Sequence, residues 1–229
     1  MSKKLSIVVV AGGKGSRMRK DVPKQYIELK GIPIFIHTLL NLNRLSPESE
    51  LILVVPLGDI DYVRQLLQRY NLQNVCVTYG GKSRAESVFN GLQQARCDYV
   101  AIHDAVRPFV TSRMFDDLVN AMADSDAVIP AILPIDSVRI SLDGGTPYSV
   151  DRNKVYLVQT PQCFKRSILL DAYDSFFSSP LDALTDDASI VEHYASISPV
   201  LVSGDINNIK ITTPKDLLLA DFILDEHSY

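Results

Sequence analysis

Short apolar runs alternate with segments of helical spacing along most of this chain, and that alternation leaves few folds open. Residues 5–10, "LSIVVV", are apolar and largely β-branched, the composition of a strand buried on both faces. "ELILVV" (50–55), "NVCVTY" (74–79), "YVAIH" (99–103) and "AVIPAIL" (127–133) read as further strands. Between them, "IFIHTLLNLNRL" (34–45) has helical length and spacing. Ile60, Val63, Leu66, Leu67 and Tyr70 share one helical face, as do Ala85, Val88, Leu92 and Ala95; residues 112–124 read as another helix. Strand–helix alternation of this kind predicts a mostly parallel α/β sheet covered on both faces. With 229 residues and no linker, repeat or low-complexity stretch, residues 1–229 are expected to form one domain.

The pattern breaks over residues 134–159. There "PIDSVRISLDGGTPYSVDRNKVYLVQ" carries alternating apolar residues around "DGGTP", which reads as two extended segments joined by a turn. Val138, Ile140 and Leu142 would give one segment an apolar face, and Val155 and Leu157 the other. A hairpin inserted into a parallel fold projects from it, and an isolated hairpin is marginal in water. The expected arm therefore needs a surface to cover it, and the simplest is the same arm of a second copy. The α/β pattern resumes with "SPVLVSGD" and a closing helix from 214 to about 224.

In parallel α/β sheets ligands bind beyond the carboxyl ends of the strands. That rule selects "AGGKGSRM", directly after the first apolar run. Gly12, Gly13 and Gly15 allow the backbone next to Ala11 to approach a ligand and aim N–H groups at phosphate oxygens. Lys14, Arg17, Arg19, Lys20 and Lys24 follow within eleven residues, opposed by Asp21 alone, in a chain of net charge −4. A sequence pI near 5.5 excludes the broad basic surface of a general nucleic-acid binder, so the cluster suits a small anion. Arg17 and Lys24 supply a planar fork and a mobile point charge, the chemistry that holds a triphosphate; the plain alternative is a solvated charged stretch. The third glycine of the dinucleotide fingerprint is missing, which disfavours a Rossmann dehydrogenase. "GGKS" (80–83) has Cys76 where a phosphate loop needs its first glycine.

"HDAVRP" (103–108) ends another strand at the same edge, where Asp104 would order a sugar hydroxyl, a substrate hydroxyl or hydrated Mg²⁺, or else cap a turn. His103 reads as a packed strand-end residue more than as a base. "VDRN" (150–153), "TDDAS" (185–189) and "NIKIT" (208–212) are each weak alone. Arg152 would brace the arm, Asp186 cap a helix and Lys210 stand as an exposed strand charge. Cys76, Cys97 and Cys163 are odd in number and far apart, which fits a reducing compartment and neither zinc nor disulfides. No apolar run reaches the roughly 18 residues of a membrane span, nor the core of a signal peptide. A cytoplasmic protein free of membrane and nucleic-acid partners is expected.

Taken in order along the chain, AGGKGSRM…PKQY, GGKSRAESV, HDAVRP, VDRN…QTPQ, TDDAS and GDINNIKITTP resemble the 2-C-methyl-D-erythritol 4-phosphate cytidylyltransferase family. The resemblance implies a Rossmann-like nucleotidyltransferase domain with a protruding β-hairpin arm. It implies transfer of CMP from CTP to methylerythritol phosphate, with release of pyrophosphate, in the non-mevalonate isoprenoid route. By the same resemblance Arg17 and Lys24 stabilise the transition state on CTP, while Arg152 and Lys210 grip and aim the acceptor phosphate. Asp104, Arg107 and Ser137 match further substrate-side positions, and the backbone around Ala11 and Gly81 with the Ser87 hydroxyl matches the reader of cytosine. Gly12 stands where many members have alanine, and Ser137 where threonine is common. The family also implies a homodimer in which each arm reaches the neighbour's site.

The chemistry so implied asks little of a protein base. A phosphate monoester has a second pKa near 6 and is largely dianionic at neutral pH. Cations and Mg²⁺, held chiefly by CTP's phosphates and water, would carry catalysis by positioning and charge stabilisation. No residues are expected to ligate the metal directly. Two rivals stand beside this reading: a ribitol-5-phosphate cytidylyltransferase, which shares the glycine loop, "PKQ" and "TPQ", and a CTP-sensing module without catalysis.

Overall fold

The computed structural model describes residues 4–12, 23–142 and 144–226. In chain order its elements are β1 (Leu5–Val10), the short β2 (Glu28–Leu29) and β3 (Ile32–Pro33), α1 (Ile34–Leu45), β4 (Glu50–Val55), α2 (Ile60–Arg69), β5 (Cys76–Tyr79), α3 (Arg84–Leu92), β6 (Tyr99–Asp104), α4 (Ser112–Ala121) and β7 (Ala127–Ile132). After these come β8 (Val138–Ile140), β9 (Tyr148–Val150), β10 (Leu157–Val158), β11 (Gln162–Lys165), α5 (Arg166–Ser178), α6 (Asp187–Ala195), β12 (Val200–Ser203) and α7 (Pro214–Glu226).

The main sheet runs β10-β7-β11-β6-β1-β4-β5, with β12 also paired to β7. Its centre is parallel: β1 lies between β4 and β6, and β5 continues beyond β4. β10 and β11 run antiparallel to their neighbours. The chain is thus one mixed α/β domain with a mostly parallel central sheet, as the alternation predicts.

Side-chain alternation along the central strands sends residues to two cores. Ile7, Val9, Leu51, Leu53 and Ala101 pack with α1, α2 and α4 on one face. Val8, Ile52, Val54, Val100 and Ile102 pack with α3, α5 and α6 on the other. Every one of these strand residues is buried, which is why the runs read as continuously apolar. On the second face α3 lies unusually close to the sheet. A Cβ at Gly91 would stand 2.4 Å from Val8 Cγ1 and 2.8 Å from Val54 Cγ2, so only glycine permits this approach.

Helix starts follow local chemistry. Ser83 and Thr111 accept the backbone N–H groups of Glu86 and Met114 to cap α3 and α4. Asp186 caps α6 in a reciprocal arrangement with Ser189, the helix-capping role the sequence offers for it. α3 and α4 end at Leu92 and Ala121, about a turn short of expectation. β11, α5 and α6 form where the sequence reading assigns no element.

The arm is smaller than residues 134–159. Its ladder joins Val138–Ile140 to Tyr148–Val150, so the second strand comes directly after the turn. Val155 follows a one-turn 3₁₀ segment, Arg152–Lys154, and Leu157 belongs to β10 of the main sheet, not to the hairpin. Ile135, Ile140, Leu142 and Tyr148 remain exposed.

Candidate active site

Four strands deliver their carboxyl ends to one cavity of about 600 Å³. Ala11 and Gly12 follow β1, Pro56 follows β4, Gly80–Ser83 follow β5, and Asp104–Val106 close β6. Gln25, Arg84, Ser87 and Lys210 complete much of the wall. Backbone hydrogen bonds tie the departing loops to the sheet: Ala11 N–H donates to Val54 O at 2.8 Å, Gly80 N–H to Val55 O at 2.8 Å, and Ala105 N–H to Val10 O at 3.2 Å.

The loop after β5 is folded over the first turn of α3. The Ser87 hydroxyl accepts from Gly81 N–H at 3.1 Å and donates to Ser83 O at 2.8 Å, while Glu86 accepts from Lys82 N–H at 2.7 Å. A Cβ at Gly80 would stand 2.8 Å from the Ser87 hydroxyl, and one at Gly81 2.2 Å from Glu86 Cβ. The glycine pair is what lets this loop lie against the helix. Gly81 and Ser87, matched by resemblance to cytosine recognition, are therefore one hydrogen-bonded unit on the cavity wall.

Opposite charges meet at the end of β6. The Asp104 carboxylate, 11% exposed, has Lys210 Nζ at 2.8 Å and Arg107 Nε at 3.5 Å on Oδ2, and Arg84 Nε at 3.9 Å from Oδ1. Burial alone would raise its pKa, but Lys210, Arg84 and Arg107 together hold it far below the usual carboxylate range. Lys210 is thus an ion-paired cavity residue, not an isolated strand charge. Arg107 lies behind Asp104, donating through Nη1 to Asn208 O at 2.7 Å. Asn208 is itself fully buried and donates to Thr160 O at 2.9 Å.

His103 is structural. It is fully buried, and burial lowers its pKa to about 4 against the opposing influence of its bond to Arg107 O. Asp104 N–H donates to Thr160 Oγ1 at 3.1 Å. The Thr160 hydroxyl then donates to His103 Nδ1 at 3.0 Å, which leaves the Nε2 proton for Arg107 O at 2.9 Å. A neutral imidazole so used holds the backbone of "HDAVR" and offers no base.

The sequence-derived site residues divide into three sets. Ala11, Gly12, Gly81, Ser87, Asp104 and Lys210 come together on the cavity, with Arg107 supporting Asp104. Ser137 and Arg152 do not line it: both are exposed on the arm, and Arg152 Nη1 donates to Ile135 O, the bracing contact. Gly13, Gly15 and Arg17, and the side chain of Lys24, lie outside the described residues. Two lining residues had no role assigned from sequence, Gln25 and Arg84. Gln25 is buried, inside the "PKQ" motif, and Arg84 is bound at the N-terminus of α3; position at a strand's carboxyl edge was the available signal for Arg84.

A cavity beyond the ends of a parallel sheet, with glycine loops at its wall and cations converging on it, defines an α/β enzyme built for a nucleotide and a second anionic substrate. The chain belongs to the 2-C-methyl-D-erythritol 4-phosphate cytidylyltransferase family, whose model matches residues 5–226. It is 40% identical to the protein of that name from Syntrophus aciditrophicus (strain SB), over 98% of this chain and 97% of the relative. The Lachnoclostridium phytofermentans protein of the same name is 39% identical, with 98% and 97% covered. Among solved structures, 4-diphosphocytidyl-2C-methyl-D-erythritol synthase from Anaerococcus prevotii DSM 20548 superposes with a TM-score of 0.86 at 30% identity, covering 98% of this chain and all of that one. The cytidylyltransferase of the same name from Thermus thermophilus gives 0.79 at 26% identity, with 97% and 99% covered. The chain is accordingly a nucleotidyltransferase.

Proposed function

We propose that CTP enters the cavity with its base toward Gly81 and Ser87 and its phosphates along the loop that carries Ala11, Gly12, Gly13, Gly15, Arg17 and Lys24. The reaction is that of the family: CMP passes from CTP to the phosphate of 2-C-methyl-D-erythritol 4-phosphate, and pyrophosphate leaves. The observation that carries the assignment is the convergence of Lys210 and Asp104 on the cavity that Gly81 and Ser87 also line. A base-reading loop and an acceptor-directed cation thus face one space.

The nucleophile is a phosphate dianion, so repulsion by the triphosphate, not proton removal, is the obstacle. Arg17 and Lys24 oppose the charge that develops on CTP, and Lys210 with Arg152 aims the acceptor for in-line attack. Asp104, fixed through Oδ2 by Lys210 and Arg107, presents its other oxygen for an acceptor hydroxyl. Among the described residues no group of three or more His, Cys, Asp or Glu side chains could hold a metal, and the Asp104 carboxylate is already shared among cations. These donors suit Mg²⁺ carried on the phosphate oxygens of CTP and on water, where it would neutralise charge on the leaving pyrophosphate.

The arm supports a homodimer. Ile135, Ile140, Leu142 and Tyr148 are exposed on it, while Ser137 and Arg152 lie away from the cavity of their own chain. A second copy would cover the apolar face and receive Arg152 and Ser137 in its site. The cytoplasm is the proposed location: all three cysteines are free, and among the described residues no helix is long and apolar enough to cross a membrane.

The test is pyrophosphate release from CTP and Mg²⁺ with a panel of polyol phosphates. Turnover with methylerythritol phosphate, and little with ribitol 5-phosphate, is expected. Preference for ribitol 5-phosphate would overturn the acceptor assignment, and release with no acceptor of the panel would favour the CTP-sensing module.

A further inference from the structure

Arg84 is the first residue of α3, directly after the Ser83 cap. A cation there opposes the helix dipole, so helix stability does not explain it. Its guanidinium donates to Asp187 through Nη1 at 3.1 Å and Nη2 at 2.7 Å, a two-point fork. Asp187 is fully buried at the start of α6, where the dipole favours its charge, and it also accepts from the buried Tyr173 hydroxyl at 2.5 Å. The fork leaves Arg84 on the cavity wall with Nε 3.9 Å from Asp104 Oδ1, too far for a hydrogen bond. Asp104 Oδ2 is meanwhile occupied by Lys210 and approached by Arg107.

We infer that Asp187 and Tyr173 are positioning residues that hold Arg84 back from Asp104, and so reserve Asp104 Oδ1 for the acceptor substrate. This rests on the reading of Asp104 as an acceptor-side residue. A merely structural pair joining α3 to α6 needs no charges, because apolar residues in place of a buried ion pair often serve stability as well or better. The charges matter here because an untethered Arg84 has a carboxylate oxygen within one small movement. Collapse onto it would consume the acceptor's hydrogen-bond partner while leaving the Gly81–Ser87 unit untouched.

The test measures KM for both substrates in four variants of the full chain. Asp104→Asn should raise the acceptor KM about tenfold or more and leave the CTP KM within about twofold; if it leaves the acceptor KM unchanged, the acceptor-side reading of Asp104 fails and the relay with it. Asp187→Asn should reproduce that acceptor-specific rise by freeing Arg84. Adding Arg84→Met to Asp187→Asn should then bring the acceptor KM back to within about threefold of wild type, which a structural role for the pair does not predict. Tyr173→Phe, which removes one hydroxyl and keeps the packing, should raise the acceptor KM about threefold and decides the matter alone if Asp187→Asn does not fold. An acceptor KM that moves in Asp104→Asn but not in folded Asp187→Asn, or a double variant no better than Asp187→Asn, overturns the relay while leaving the acceptor reading intact.

Discussion

The Lys210 ammonium lies 2.8 Å from the Asp104 carboxylate, although each residue read alone is an unremarkable charge at a strand's end. The pairing orients the cation and keeps it on the cavity. Lys210→Ala should raise the KM for methylerythritol phosphate more than that for CTP and also lower kcat, because alignment contributes to rate. Loss of a hydrogen bond to a charged group, about 1.5–3 kcal/mol, corresponds to roughly 10–100-fold in kcat/KM for the acceptor. Steady-state kinetics with each substrate varied in turn checks it. A defect confined to CTP would assign Lys210 to the other ligand.

Arg17 and Lys24 are assigned to the triphosphate. Removing one preorganised charge-stabilising donor costs about 2.7–4 kcal/mol, or roughly 10²–10³ in rate. Arg17→Ala and Lys24→Ala should each lose turnover on that scale with an unchanged circular dichroism spectrum and melting temperature. Near-native turnover in either variant removes that residue from the mechanism.

How far the sequence reached depends on whether the signal was local. β1, β4 and β6 were legible because strands buried on both faces leave uninterrupted apolar runs. β10 and β11 were not, since "YLVQTPQCF" is short and broken by polar residues; extending strand alternation through Val155 and Leu157 placed part of the main sheet in the arm. Leu169, Ala172, Tyr173 and Phe176 carry a helical spacing that signals α5, so that omission reflects a missed period and not a silent sequence. The backbone part of the site followed from the rule about strand ends. Its ion pairs did not: nothing near Arg84 in the chain announces Asp187, and nothing in "TDDAS" distinguishes the capping Asp186 from the buried Asp187.

His103 makes stability depend on pH in a defined window. Its pKa falls from 6.5 to about 4 on folding, so between those values the unfolded chain binds the proton and the folded chain does not. Stability contributed by the neutral ring is therefore complete above about pH 6.5 and is lost as the pH falls toward 4, by about 3 kcal/mol in all. Urea titrations from pH 7 to pH 4 should show this loss. In His103→Asn the slope of unfolding free energy against pH across that window should be shallower by about one proton. Equal slopes would show that the ring is not held neutral.

Gly91 offers a test in which helix propensity and packing predict opposite signs. In an exposed helix interior, Gly→Ala stabilises by about 1 kcal/mol. Here the added Cβ would stand 2.4 Å from Val8 Cγ1 and 2.8 Å from Val54 Cγ2, side chains fixed on the central strands β1 and β4. Overpacking a rigid core costs about 1–3 kcal/mol, so Gly91→Ala should come out destabilised by roughly 1–2 kcal/mol. The shift in the urea midpoint decides the sign, and a stabilised variant would mean α3 lies farther from the sheet.

Arg152 separates a shared site from a self-contained one. Within one chain its guanidinium reaches Ile135 O on the arm and does not line the cavity, whereas Lys210 does. If a second subunit receives the arm, Arg152 and Ser137 act on the neighbour's substrate, and Arg17, Lys24 and Lys210 on their own. Lys24→Ala then spoils the body of a subunit and spares its arm, and Arg152→Ala does the reverse. Mixed under conditions that exchange subunits, half of all dimers pair one of each, and each such dimer has one site with an intact body and an intact arm. About a quarter of wild-type activity should return, by counting over a two-fold dimer. Were Arg152 to act within its own chain, every site would keep one defect and the mixture would stay inactive. Absence of recovery after subunit exchange has been demonstrated, for instance with differently tagged chains, would therefore rule out the shared site.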